Sequence, residues 1–400
     1  MNNYKLEELC EFIRNGASIK QFENAKGYPI TRIETIADSY INLERVGYAD
    51  IIDLSKYEDY LLNIGDILMS HINSEKHLGK TAIFENEDKK LIHGMNLLCI
   101  RPDKKLVSPK YLNYYFKSLA FKKQLPKITK KSVNQASFSV SDLKKLKCKI
   151  HSIESQKKIV KILDKSQELI DKRKKQIEKL DLLVKSKFIE MFGDQNTNSK
   201  NLEKVYLKDI SELITKGASP NWQGIEYVDD DTQTLFVTSE NVREGYIDLS
   251  KKKYLMDAFN EKQKRSILNN GDFLINIVGA SIGRAAQFNL DIKANINQAV
   301  ALVRIKKGLV NDKYMLEYLN SPKALQMYKS MQVSVARANL SLQNINDLEI
   351  LLPPMELQNQ FANFVKQVDK LKFELEKSLK ELEDNFNSLM QKAFKGELFN

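Results

Sequence analysis

Four hundred residues exceed what one hydrophobic core organises, since cores stop growing at roughly 250–300 residues, so two or three domains are expected. The chain is 42% hydrophobic and 29% charged, and no apolar run approaches the roughly 18 residues a membrane span needs, which argues against a membrane-inserted chain. Lys and Arg number 63 against 52 Asp and Glu, a net charge of +11 that favours a polyanionic partner without saying which one.

Residues 1–12 carry neither the basic start nor the apolar stretch of a secretory signal, so a cytoplasmic chain is expected. Cys10, Cys99 and Cys148 are few, odd in number and without CxxC spacing, which fits reduced, buried thiols rather than a disulfide framework or a zinc site. The runs 66–70 and 97–100 are short, apolar and bounded by Gly, Asn or Asp, and read as strands. Residues 109–121, with Tyr and Leu at three- and four-residue steps, read as one helix. From Phe121 to Lys149 the lysines Lys122, Lys123, Lys127, Lys130, Lys131, Lys144, Lys145, Lys147 and Lys149 meet a single acid, Asp142. Such a run is either a solvated face or a surface that tracks phosphates, and the second makes affinity steeply salt-dependent. Between 154 and 191 there is no Gly or Pro, and Leu163, Ile170, Ile177, Leu180, Val184 and Met191 return at a coiled-coil period. That predicts a long helix whose seam is interrupted by Ser166, Arg173 and Lys187. Strands follow at 273–277 and 299–303 and a helix at 312–331. A second long helix runs from 356 to about 394, with Phe361, Phe364, Val368, Leu371, Leu375, Leu382 and Leu389 on one stripe. Pro353-Pro354 lies just ahead of it, where proline is tolerated.

The two halves match block by block. Leu6 to Gly16-Ala17-Ser18 pairs with Leu207 to Gly217-Ala218-Ser219, and Gly65-Asp66-Ile67-Leu68 with Gly271-Asp272-Phe273-Leu274. Leu78-Gly79-Lys80 pairs with Ile282-Gly283-Arg284, Lys110-Tyr111 with Lys313-Tyr314, and Ser139 to Leu143 with Ser341 to Ile345. Register kept over so many blocks marks one unit used twice, with a period of about 200 residues. The expected class is α+β: two similar mixed α/β domains, 1–152 and 207–353, a central long helix 153–193, a linker 194–206 and a C-terminal long helix 354–400. Each helix would be about 55 Å long. Packed as an antiparallel coiled coil, they would relate the domains by a pseudo-two-fold axis, and two-fold proteins read DNA as two half-sites at a fixed separation.

Catalytic signals are weak. The stretch Ser74 to Thr81 ends like a phosphate-binding loop but lacks its first glycine, and reads instead as a tight turn with Gly79 at positive φ. A nuclease centre has only Asp103, Asp142 and Lys144 as a loose candidate, and the second copy lacks them. Leu352-Pro353-Pro354-Met355 is not the Asn/Asp-Pro-Pro-aromatic loop of an adenine methyltransferase, and His71, His77, His93 and His151 have no metal-ligand spacing. The chain reads as a non-enzyme. Residue types suited to base edges gather on loops at matched places. In the first unit they are Ser18, Lys20, Arg32, Ser70, His71, Asn73 and Lys80, with Lys130 and Lys131 from the lysine run. In the second they are Ser219, Thr238, Asn276, Ser281, Arg284, Asn297, Gln298, Arg337 and Asn339. For each alone, a turn or capping role is the competing reading.

The whole chain resembles the DNA-specificity subunit of type I restriction–modification systems. The resemblance rests on Leu207 to Pro220, Ile72 to Lys80, Gly279 to Arg284, Asn295 to Ala299 and Leu352-Pro353-Pro354-x-Glu356-x-Gln358. The first copy departs from the last motif, reading Ile150 to Gln156 without prolines. The resemblance implies two target-recognition domains, each reading half of a bipartite site in double-stranded DNA. Loop 70–78 is about two residues longer than its counterpart, so an asymmetric site is expected. It further implies that the helices set the gap and dock two methyltransferase subunits. Those would bind S-adenosylmethionine and methylate adenine at N6, while ATP- and Mg²⁺-dependent restriction subunits join for host defence. No cofactor is expected on this chain itself. On the residues alone two other readings stay open: a stand-alone nuclease, which would show Mg²⁺-dependent cleavage, and a coiled-coil adaptor, which would bind no duplex even at low salt.

Overall fold

The computed structural model describes residues 1–133, 135–331 and 339–399. The chain divides into two compact units, Met1–Lys174 with Lys377–Asn400, and Lys175–Glu376.

In the first unit four antiparallel strands lie in the order Cys10–Asn15, Leu97–Pro102, Ile67–Ser70, Thr81–Ile83. The second unit repeats them as Ser211–Lys216, Val300–Ile305, Phe273–Asn276, Ala285–Gln287. Ile67–Ser70 and Phe273–Asn276 are buried at every residue, which is why these strands appear in the sequence as unbroken apolar runs rather than alternating ones. Beside each sheet a two-stranded ribbon ties the start of the unit to its end, Asn2–Lys5 with Lys147–Ile150 and Glu203–Tyr206 with Glu349–Leu352. Just before the inner strands Ile67–Ser70 and Phe273–Asn276 each unit buries a carboxylate. Arg101 grips Asp66 through two hydrogen bonds of 2.8 and 2.7 Å, and Arg304 grips Asp272 through two of 2.8 Å.

The helices expected over 109–121 and 312–331 are each two helices. Pro109–Lys117 is followed by Leu119–Lys122, and Asp312–Leu319 by Pro322–Ser330. At the breaks the hydroxyls of Ser118 and Ser321 accept from the amides of Phe121 (3.4 Å) and Ala324 (3.2 Å). A serine that caps a new helix this way competes with continuation of the old one, and Pro322 is preset for a first helical position.

The long helices are Ile153–Phe192 and Met355–Lys395. Inside the first unit Ile159 and Leu163 share a core with Met390 and Phe394, and Lys174 pairs with Glu383 at 2.9 Å, an antiparallel arrangement. Inside the second, Phe188 and Phe192 pack edge-on against Phe361 at 5.2 and 5.5 Å, and Lys372 pairs with Asp181 at 2.6 Å, again antiparallel. One expected stripe residue departs: Leu371 is 50% exposed. The face that meets the partner segment follows Phe361, Val365, Val368 and Lys372, so Leu371 is turned one position away from it. Buried glutamines fasten each helix start to its domain. Gln156 accepts from the Ser108 amide at 2.8 Å, and Gln358 accepts from the Asn311 amide at 2.8 Å. Their amide groups donate to the carbonyls of His151 (2.9 Å) and Pro353 (2.7 Å).

The units differ in what is built above this frame. The second has a further four-stranded sheet, ordered Tyr227–Val228, Tyr254–Leu255, Thr234–Val237, Ala294–Ile296, whose last pair is parallel. The corresponding part of the first is held by isolated bridges such as Ile30 to Gly47 and to Ile92. The first also carries a small sheet of Ile72–Asn73, Ala136–Ser137 and Lys130–Lys131.

Candidate nucleic-acid interface

In the first unit that small sheet gathers part of the predicted set. An open depression of about 680 Å³ is lined by Asn15, His71, Ile72, Lys130, Ser137, Phe138, Ser139, Val140, Ser141 and Lys144. His71 follows strand Ile67–Ser70, and its carbonyl accepts from the Phe138 amide at 3.1 Å, which draws the serine-rich turn alongside. Its ring is buried, Nδ1 has no hydrogen-bond partner among the described residues, and burial lowers its pKa, so it faces the depression's margin as a neutral ring. Asp142, the one acid of the lysine run, lies in the first turn of the short helix Val140–Lys144 that Ser139 caps, and its carboxylate accepts from the Ser139 hydroxyl at 2.6 Å. Of the run's lysines, Lys131 alone among the described residues forms an ion pair, with Glu75 at 2.7 Å. Lys130 and Lys144 therefore present unneutralised charge beside hydroxyls, the combination that binds phosphate oxygens.

The other first-unit residues are dispersed. Ser70 is buried, and Asn73 donates to its hydroxyl at 3.3 Å and accepts from the Ser74 amide at 2.8 Å. Lys80 donates to the Ala37 carbonyl at 2.7 Å. Arg32 is exposed and donates to the Gln21 side chain. Ser18 and Lys20 are exposed, with the Lys20 ammonium 5.6 Å from the Phe22 ring centre. Gly79 has φ +73°, as the turn reading of this loop required, and an added Cβ would lie 2.3 Å from the Leu125 side chain.

In the second unit the predicted residues split into two kinds. Asn276 and Thr238 are buried fasteners. Asn276 donates to the carbonyls of Ser239 (3.0 Å) and Val242 (3.3 Å) and to the Ser281 hydroxyl (3.1 Å), while Thr238 donates to the Asn241 side chain at 2.9 Å. Ser219 and Asn297 are half-buried, the latter accepting from the Ala299 amide at 3.2 Å. Arg284, Gln298 and Asn339 are exposed, and among the described residues the side chains of Arg284 and Gln298 make no hydrogen bond or ion pair. Arg337 lies outside the described residues. Cations of this unit are commonly paired, Lys185 with Glu244 (2.9 Å), Lys208 with Asp347 (2.8 Å) and Lys253 with Glu240 (3.4 Å), so its surface is less able to track phosphates than the first unit's lysine run.

Sequence reasoning did not single out Asn15, Ser137, Ser139 and Ser141. Strand pairing brings them to His71 from 56 to 70 positions away in the chain, and only Lys144 carried a compositional signal. Among the described residues no group of His, Cys, Asp and Glu is arranged to hold a metal ion, and no helix is long and apolar enough to cross a membrane.

Comparison with known proteins places this architecture. The sequence model of the type I restriction modification DNA specificity domain matches residues 1–181 and again 199–384. The chain is 33% identical over 381 residues to a putative type I restriction enzyme MjaX specificity subunit of Methanocaldococcus jannaschii, covering 92% of this chain and 86% of that protein. It is 28% identical over 162 residues to the EcoBI specificity subunit of Escherichia coli, covering 40% of this chain and 34% of that protein. Among solved structures, a chain from a type I R-M system studied for its complex assembly and conformational transition superposes with a TM-score of 0.60 at 16% identity, over 99% of this chain and 98% of that one. The S subunit from M. genitalium superposes with a TM-score of 0.50 at 14% identity, over 98% of this chain and 96% of that one. A repeated frame, loops that differ between its copies and a family match spanning both halves lead to one conclusion: the chain belongs to the type I restriction–modification DNA specificity family.

Proposed function

We propose that this chain, a specificity subunit that recognises DNA sequence for a type I restriction–modification system, reads a bipartite, asymmetric duplex site with one half-site per unit. One observation carries the reading. The fasteners of the two units are the same, Asp66/Arg101 with Asp272/Arg304 and Gln156 with Gln358. The polar side chains on the loops are not the same. Two equal frames that carry different loops fix two different readers, because base identity is read by side chains and phosphate contacts supply position.

As a non-catalytic component, the chain supplies sequence choice to partners. Two methyltransferase subunits carry S-adenosylmethionine and methylate adenine at N6, and restriction subunits use ATP and Mg²⁺; the complex acts in the cytoplasm. Family membership supports this assembly, as do the large apolar side chains left exposed on the long helices of the second unit, Leu182, Leu183, Ile189 and Phe373, which suit burial against a partner. The test is a modified-base map of genomic DNA from cells that express the chain with its methyltransferase, against cells lacking only this chain. Loss of N6-methyladenine at one gapped, two-part motif is the expected result. Identical maps overturn the reading.

A further inference from the structure

Trp222 is the only tryptophan of the chain, and it is 88% exposed. The largest apolar side chain is thus held in water, and on a fixed turn. The Gln223 amide donates to the Pro220 carbonyl at 2.9 Å, the Gly224 amide to Asn221 at 3.2 Å, the Ile225 amide to Pro220 at 3.1 Å, and Lys262 to the Gln223 carbonyl at 2.6 Å. Gly224 closes the turn in the left-handed conformation, φ +67°. The turn departs from Gly217, where an added Cβ would lie 1.8 Å from the Ile296 carbonyl oxygen and 2.7 Å from that of Asn297. The chain therefore leaves the frame beside Asn297 and Gln298.

The first unit builds the same arrangement. Gly16 lies as close to Gly94, with an added Cβ 2.2 Å from its carbonyl oxygen, and the turn that follows carries Phe22, 51% exposed, with the Lys20 ammonium 5.6 Å from its ring centre. Register places Trp222 opposite Gln21 rather than Phe22, so each copy supplies the ring from a neighbouring position. Two diverged copies each set an exposed aromatic ring on a turn next to their loop readers, with a lysine at the ring in the first (Lys20) and a lysine on the turn's backbone in the second (Lys262); these are the elements of a nucleotide contact, a π-face for a base and a cation for its phosphate.

We propose that Trp222, and Phe22 in the first copy, are stacking residues that insert against the bases at one edge of each half-site and loosen the adjoining base step. The proposal rests on the duplex-reading function above and adds its consequence for the DNA. The backbone that carries the ring is already held by its turn, so stacking costs only the freedom of the side chain itself. A loosened step also lowers the unstacking needed before an enzyme can draw a base out of the helix.

Because Trp222 is the sole tryptophan, its emission reports on the contact directly. The full chain is titrated with an end-labelled duplex carrying the mapped gapped motif, and with a scrambled duplex, while label anisotropy and tryptophan emission are read together. Saturation with the mapped duplex is expected to quench the emission strongly. Trp222→Ala is expected to bind it roughly 5- to 150-fold more weakly, the range seen for loss of one base–aromatic stack, and Trp222→Tyr to recover most of the affinity. Both variants should melt with the wild type, since the side chain is almost wholly exposed. Binding by anisotropy with unchanged emission, or Trp222→Ala binding as tightly as the wild type, overturns the stacking role while leaving duplex reading intact. Absence of any anisotropy change for the wild type on either duplex at low salt overturns both.

Discussion

Asp272 is nearly inaccessible to solvent and is held by Arg304 in a two-pronged ion pair; its oxygen also accepts from the Asn269 amide at 2.7 Å. One side chain thus closes the turn before the central strand and anchors the strand beside it. Removing one partner of a buried pair leaves the other charge uncompensated, which costs about 3–5 kcal/mol. Arg304 keeps partial access to solvent, so Asp272→Ala is expected to lower stability by about 3 kcal/mol, read as a lower denaturation midpoint. Asp272→Leu with Arg304→Met should recover much of the loss, because an apolar pair of similar volume avoids the desolvation of two charges. A second residue ties stability to pH. His93 is buried, its Nε2 donating to the Leu97 carbonyl at 2.9 Å, and burial pushes its pKa from 6.5 down to about 4. The folded ring stays neutral where the unfolded chain takes up a proton. The contribution is therefore full above pH 6.5 and is lost as the pH falls toward about 4, by at most about 3 kcal/mol. His93→Gln should flatten that part of the stability–pH curve, and an unchanged slope would exclude His93 as its source.

At the scale of elements, the small sheet of the first unit gives the lysine run its direction. Lys130 and Lys144 border one depression with Ser139 and Ser141, whereas Lys131 is turned to Glu75. Each phosphate contact contributes about 0.9 to the slope of log affinity against log salt. Lys130→Ala with Lys144→Ala is therefore expected to reduce that slope by about 2 without changing the preferred sequence, and Lys131→Ala to reduce it less. Equal slopes for all variants would move the phosphate path elsewhere. Much of the frame was legible beforehand, because buried strands bounded by Gly-Asp turns and Gly-free helices are written in local composition. The break at Ser118 was not, since a single hydroxyl that caps one helix rather than decorating another leaves no periodic trace. The loop residues were legible only as a mixture. Asn276 and Arg284 carry equal promise in sequence, yet Asn276 is turned inward by carbonyls 34 and 37 residues away, and Arg284 faces solvent. Direction of a polar side chain is set by such distant partners, and a single sequence does not display them.

For the molecule as a whole, the spacing between half-sites should be a property of the long helices and the identity of each half-site a property of its unit. The chain passes from one unit to the other within Ile153–Phe192 and again within Met355–Lys395. Changing helix length there alters neither recognition surface. An insertion of about four residues adds one helical turn, about 5.4 Å, and restores the phase of the residues that follow. Placed after Lys174 and matched after Glu376, it keeps Lys174 and Glu383 within the first unit's register and Lys372 and Asp181 within the second's. One added turn corresponds to one or two base pairs, given about 3.4 Å of rise along each strand. The methylated motif of cells expressing this variant should keep both half-sites and gain one or two bases between them. A motif with altered half-sites would mean that the helices take part in reading, and an unchanged gap would mean that something other than their length sets the spacing.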